Sequence, residues 1–382
     1  MGDAAAIRDN AFGWMNVLRI AAAVEVVLYH VVHCGLVSGG LSVANPALAG
    51  VLYHATAYGS QAVMVFFVLS GFWIARSVDM LKDQPDFWRI YLVRRLSRLL
   101  AVLVPALVIG LAIDLIGLHV LHALVYDGPS AVAWGAWAPV AEAIRPKVFI
   151  GNLLFLQDIA TAPLGSNAAL WSLSYEFWFY LAYPALLFAL RGRLTLALGS
   201  LAVFALAPQA MAENFAVWLL GVVLYHVEVR LGSPARARGL WLIVPVVTFG
   251  AALYASGNPG ISDVAASLVP GIATLFLLLV LLRAAPPLPR WGQWSARCGA
   301  NGSYSLYLSH MPITILAGAI ADKAGLADSL TLRWAIVALA FGWAALFAWT
   351  FETRTEALRQ QAMKITQGLW QKARQSALLD RL

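Results

Sequence analysis

Ten stretches of this chain are apolar enough to lie inside a bilayer, and that removes most of the folds open to 382 residues. A helix needs about 20 largely apolar residues to cross a hydrocarbon core of about 30 Å. The candidate spans are about 15–37, 57–76, 99–118, 168–190, 194–208, 214–230, 239–256, 264–283, 302–320 and 331–351. The expected fold is all-α: a polytopic membrane protein with about ten transmembrane helices. Composition agrees, with 61% hydrophobic and 12% charged residues and a mean hydropathy of +0.75, above that of a soluble domain. The span at 194–208 is the shortest. Val148–Leu156 is too short to cross and is expected to be re-entrant or interfacial.

Charge sets the orientation. With the N-terminus inside and strict alternation, the inner segments hold Arg8, the cluster Arg76, Lys82, Arg89, Arg94, Arg95 and Arg98, and most later arginines. The outer segments hold only Arg145, Lys147, Lys323 and Arg333. Lys and Arg favour the cytoplasmic side, so both termini are expected there. Dropping the short span would invert everything after it. Residues 1–14 read as a cytoplasmic segment, 15–351 as the transmembrane domain and 352–382 as a cytoplasmic amphipathic tail, with Leu358, Ile365, Leu369 and Trp370 for the interface. The longest outer loop, 119–147, with Trp134 and Trp137, is expected to be ordered at the interface.

The net charge of +7 would suit nucleic acid, but the positive residues are scattered between apolar stretches and form no basic face, so no nucleic-acid partner is expected. Cys34 and Cys298 lie far apart and suggest neither a disulfide framework nor a metal pattern. His119 and His122 lack companion ligands, and no metal is expected. No cleavable signal is expected, because the first apolar run is interrupted by Arg19 and Glu25.

The informative residues are polar ones inside the spans, where a charge costs roughly 2.5–3.5 kcal/mol on insertion scales. Met15 to Cys34 carries Arg19, Glu25, His30 and His33. Arg19 and His30 are about three turns and 16 Å apart on one side of a helix, with Glu25 on another. A snorkelling arginine and a packing histidine are the plain alternative. FFVLSGFWIARS at 66–77 places Ser70-Gly71 inside a span, which small residues also allow for packing alone. In RRLSR at 94–98, Arg95 and Arg98 are helix neighbours at a cytoplasmic mouth and suit bidentate phosphate binding as well as topology. Glu176 sits among aromatics in NAALWSLSYEFWFYLAYP, where a buried carboxylate needs a partner or a proton; Arg19 and His30 are the expected partners. NGSYSLYLSHMPI at 301–313 puts Tyr307 and His310 in the ninth span.

In this order the five patterns resemble the integral-membrane acyltransferase-3 family of bacterial glycan O-acyltransferases. Arg19-x10-His30 resembles its first-helix motif and FFVLSGF at 66–72 its second-helix signature. Arg95-x-x-Arg98 resembles its RxxR motif, and WSLSYEF at 171–177 and SYSLYLSH at 303–310 are similar to two later signatures. The resemblance covers about residues 14–350. It looks like the stand-alone type, without the SGNH hydrolase-like domain that some members carry.

The resemblance implies an acyl-CoA donor, acetyl-CoA first, and a carbohydrate or glycolipid acceptor such as lipopolysaccharide or exopolysaccharide. It also implies a multi-pass enzyme of the bacterial cytoplasmic membrane. His30 would be the general base, with an acyl-His30 intermediate as the runner-up. Arg19 would hold donor charge or the oxyanion, and Glu176 would orient or charge-balance the centre. Arg95 and Arg98, with Ser70, would bind the donor, and His310 and Tyr307 are further candidates. The competing class is a transporter or flippase for a lipid-linked sugar, which would use the same intramembrane charges as a pathway.

Overall fold

The computed structural model describes residues 2–33, 46–123, 125–126, 139–189, 195–232, 240–258, 260–326 and 329–379. Cys34, Trp134 and Trp137 lie outside the described residues, with part of the expected outer loop and the inner positions Arg191, Arg193, Arg236 and Arg238. Among the described residues there are helices and no strand, the arrangement that satisfies backbone N–H and C=O groups within each segment in lipid.

The first half holds α1 (Gly2–His33), α2 (Pro46–Ala55), α3 (Gly59–Leu81), α4 (Phe87–Ile116), α5 (Pro146–Leu153) and α6 (Trp171–Ala189). Then come α7 (Thr195–Leu206), α8 (Gln209–Leu231), α9 (Leu240–Ser256) and α10 (Asp263–Ala284). The chain ends with α11 (Arg290–Asn301), α12 (Ser303–Lys323), α13 (Leu330–Thr350) and α14 (Thr355–Leu379). Each of the ten expected spans coincides with a helix. Seven helical stretches among the described residues, containing α1, α3, α4, α8, α10, α12 and α13, are long and apolar enough to cross a membrane.

The other three fall short for different reasons. In α6, Glu176 and a run of Trp and Tyr dilute the hydropathy. α9 has 17 residues. α7 has 12, about 18 Å of rise against a core of about 30 Å.

The two ends of the chain fold as follows. The 1–14 segment is not separate, because α1 begins at Gly2 and runs through the first span. Its N-terminal half packs against α11 and the segment before it: Trp14 Nε1 donates to Pro286 O at 2.9 Å, and the Trp14 and Trp291 rings meet edge to face at 6.0 Å. α11 is an element that hydropathy did not single out. At the other end, α14 leaves Leu358, Ile365 and Leu369 exposed. These are spaced by seven and four, one helix face, as an interfacial helix requires. The short Val148–Leu156 piece is α5 with the turn after it.

α3 is the central helix and α8 crosses it with almost no gap. A Cβ on Gly71 would lie 2.1 Å from Trp218 O, and one on Gly221 would lie 2.0 Å from Val68 O. Only glycine lets two helix backbones approach so closely. Costly polar groups in the spans find partners. Glu25 accepts from the Tyr58 N–H at 3.0 Å, at the positive N-terminal end of α3. Asp114 accepts from Ser166 N at 2.8 Å and Ser166 Oγ at 2.6 Å.

Candidate active site

One cavity of about 720 Å³ lies between α1, α3, α4, α6, α12 and the start of α14, within the usual range for small-molecule sites. From Val63 to Met80 it follows α3 for about 25 Å of helix rise. Arg19, Ser70, Arg95, Arg98, Glu176 and Tyr307 all line it. Residues that the sequence spreads from 19 to 307 thus share a single space.

The arginines enter from the end that the charge pattern assigns to the cytoplasm. Arg94 and Arg98 are one turn apart on α4, and Arg95 stands beside them. Arg95 is held between aromatic faces, 5.6 Å from the Tyr91 ring centre and 5.8 Å from that of Tyr180. Its Nε is buried and has no hydrogen-bond partner among the described residues. Arg98 is exposed at the mouth. On α1, Arg19 Nη1 donates to Asn16 Oδ1 at 3.1 Å, one turn back.

Glu176 makes no ion pair with Arg19 or His30, although Arg19 lies within its electrostatic reach. Its partner is Tyr180, four residues on along α6, whose hydroxyl donates to Glu176 Oε1. The chain continues outward. Trp218 Nε1 donates to Ser70 Oγ at 3.2 Å, and Ser70 Oγ donates to the Tyr180 hydroxyl at 3.3 Å. A neighbour at the helical spacing of four satisfies the carboxylate, so no cation is needed to hold it. Ser70 therefore anchors the cavity wall, while Gly71 beside it makes the α3–α8 crossing.

His30 does not line the cavity. It pairs with His310 across 280 positions of sequence, Nδ1 to Nε2 at 2.8 Å, with the rings 5.0 Å apart. His310 Nδ1 lies 2.9 Å from Leu306 O. That carbonyl only accepts, so His310 carries its proton on Nδ1 and its Nε2 is the acceptor. His30 must then donate from Nδ1, which leaves the lone pair on His30 Nε2. His310 is fully buried and His30 is half-buried.

The pair lies beside the Val63 end of the cavity, the His310 ring 6.4 Å from that of Tyr307. Tyr307, one turn from His310 on α12, lines that end; its hydroxyl meets Ser172 Oγ at 2.6 Å and its ring meets Phe66 at 5.7 Å. Tyr29 packs on Gly59, the first residue of α3, so His30 stands level with the first turn of α3, one turn from Val63. His33 is spoken for otherwise, with Nε2 3.1 Å from Tyr53 O. Sequence reasoning missed Tyr180 and Ser172, both inside the WSLSYEFWFY run, and the cavity arginines Arg76 and Arg359. The spacing of Tyr180 from Glu176 was a readable signal; nothing local marked Arg359.

A family model described as an acyltransferase domain matches residues 12–353, from within α1 to the turn after α13. Among curated proteins, the acyltransferase MdmB of Streptomyces mycarofaciens is 33% identical over 145 residues. Those residues are 37% of this chain and 32% of that relative, so the match spans about a third of its length. No solved structure matches the chain.

Proposed function

The chain belongs to this acyltransferase family, and on that premise we propose that it transfers an acyl group, acetyl first, from cytoplasmic acyl-CoA to a hydroxyl of a cell-surface or lipid-linked carbohydrate. It is an acyltransferase embedded in a membrane by many helices, which displaces the transporter or flippase alternative. The bacterial cytoplasmic membrane, the CoA donor and the carbohydrate acceptor are the finer parts of the proposal. The observation that carries them is a cavity lined with arginines that reaches Tyr307, whose ring lies 6.4 Å from that of His310 in the histidine pair.

In this reading Arg95 and Arg98 grip donor phosphates through charge-assisted hydrogen bonds. The thioester reaches the part of the cavity lined by Tyr307 and Ser172, beside the histidine pair. An acceptor hydroxyl approaches His30 from the end of α3 that the charge pattern puts outside. His30 Nε2 takes the hydroxyl proton while the oxygen attacks the thioester carbonyl. The C–O bond forms, the C–S bond breaks, and the leaving thiolate collects the proton from the imidazolium. Arg19 supplies positive charge against the developing oxyanion. Glu176, held by Tyr180, balances the arginines. His310 acts through His30, as a positioning residue that fixes its tautomer.

The test follows free thiol in nanodiscs holding the purified protein, acetyl-CoA and candidate glycans, beside mass spectrometry of surface glycans from cells with and without the gene. An acyl mark that disappears with the gene and returns with the wild type, but not with His30→Gln, supports the reading. Glycans of unchanged mass across these strains would overturn it.

A further inference from the structure

The cavity holds more positive charge than the two arginines assigned to the donor. Six arginines line it, at 19, 76, 94, 95, 98 and 359, against three glutamates, Glu176, Glu352 and Glu356. Each glutamate is engaged: Glu176 with Tyr180, Glu352 with Ser305 Oγ at 2.6 Å, and Glu356 with Arg359 Nη2 at 2.5 Å. Arg76 has its guanidinium 4.9 Å from the Phe12 ring centre and 5.8 Å from that of Trp73. No carboxylate pairs with Arg76 among the described residues. The hydroxyl Oγ1 of Thr355, also on the cavity wall, is buried without a partner. A surplus of cations in a cavity whose wall also carries an unused hydroxyl is the chemistry of a phosphate site.

Position decides which phosphate. The part lined by Tyr307 and Ser172 lies beside the histidine pair. Arg95 lies against Tyr180, near Glu176 and Ser70. Arg76 is six residues past Ser70, about 9 Å nearer the inner end of α3, and level with Phe12 of α1. Thr355 and Arg359 open α14, the tail helix that packs on α4. A CoA thioester with its acyl end at the histidines would put its diphosphate by Arg95 and Arg98. Its last charged group, the 3′-phosphate on the ribose, would fall at the Arg76 end.

Resting on the donor reading above, we propose that Arg76, Arg359 and the Thr355 hydroxyl form a subsite for the 3′-phosphate of CoA, which makes the tail helix part of the donor site. Arg359 has N–H groups beyond the one it gives Glu356, so it can bridge that carboxylate and a phosphate, with Glu356 fixing the fork rather than facing the anion.

The test is calorimetric binding of acetyl-CoA and acetyl-dephospho-CoA, which lacks only the 3′-phosphate, to the full chain in nanodiscs. The wild type should prefer acetyl-CoA by about tenfold, or about 1.4 kcal/mol. Arg76→Gln with Arg359→Gln should weaken acetyl-CoA by about that factor, leave acetyl-dephospho-CoA where it was, and so erase the preference. Arg95→Gln should weaken both donors alike. Should the double variant lose its melting transition, Arg359→Gln and Thr355→Val singly carry the same comparison. Equal wild-type affinity for the two donors, or a preference that survives these substitutions, overturns the subsite. Binding of neither donor by the wild type would overturn the CoA reading itself.

Discussion

At the residue scale, the pairing of His30 with His310 turns a general expectation into an assignment of protons. The carbonyl of Leu306 forces His310 to present Nε2, and that forces the His30 lone pair onto Nε2, away from its partner. Two substitutions separate the roles. His30→Gln should abolish transfer while donor binding stays, because an amide accepts hydrogen bonds but takes no proton at neutral pH; general-base work is worth about 10²–10⁴-fold. His310→Gln should keep part of the rate, since its side-chain oxygen can still accept from His30 Nδ1–H, whereas His310→Ala should lose that part and shift the pH profile. Equal activity of His310→Gln and His310→Ala would deny His310 a positioning role. The sequence named both histidines but could not pair them, because 280 residues of separation carry no local signal. It looked for a cation beside Glu176 and did not see the i+4 tyrosine that donates to it.

At the element scale, two features of α3 and α4 are open to test. The α3–α8 crossing depends on two glycines that face backbone, and backbone cannot rotate away as a side chain can. Gly71→Ala places a methyl 2.1 Å from Trp218 O, so the helices must separate; overpacking of this kind costs about 1–3 kcal/mol. A clear drop in melting temperature and membrane yield is expected. Gly342→Ala on α13, where nothing lies within 4 Å, is the control and should change neither. On α4, Arg95→Ala or Arg98→Ala should each weaken donor binding by roughly 1.5–3 kcal/mol, with partial rescue by Lys, which lacks the planar fork. Unchanged donor affinity in the double Ala variant would remove these arginines from the donor site. The seven long apolar helices were legible because burial in lipid writes itself as long apolar runs. α11 was not, because it is short and polar overall. The tail helix was legible as amphipathic, but its contribution of Thr355 and Arg359 to the cavity depends on how it folds back on α4.

At the scale of the whole molecule, the charge pattern would give the cavity a direction. On the positive-inside expectation, Arg94, Arg95 and Arg98 lie toward the inner end of α4, Arg76 toward the inner end of α3, and α14 after the inner end of α13; the four arginines and the start of α14 line the cavity. His30 stands level with the opposite end of α3, where Glu25 meets the Tyr58 N–H. A donor bound in the cavity and an acceptor at His30 would therefore come from opposite sides of the membrane, meeting near Val63 and Tyr307. A bulky, highly charged CoA cannot cross the bilayer, so the side on which it is supplied should decide whether the enzyme turns over. Sealed inverted vesicles, with the cytoplasmic face outward, should use added acetyl-CoA. Sealed right-side-out vesicles of equal enzyme content should not, until detergent opens them. Cysteines placed at 94 or 98 in a background lacking Cys34 and Cys298 should follow the same rule, reacting with an impermeant maleimide only in the inverted vesicles. Equal turnover in the two intact preparations, or ready labelling from the outer face, would reverse the orientation and put the arginine mouth on the side of the glycan.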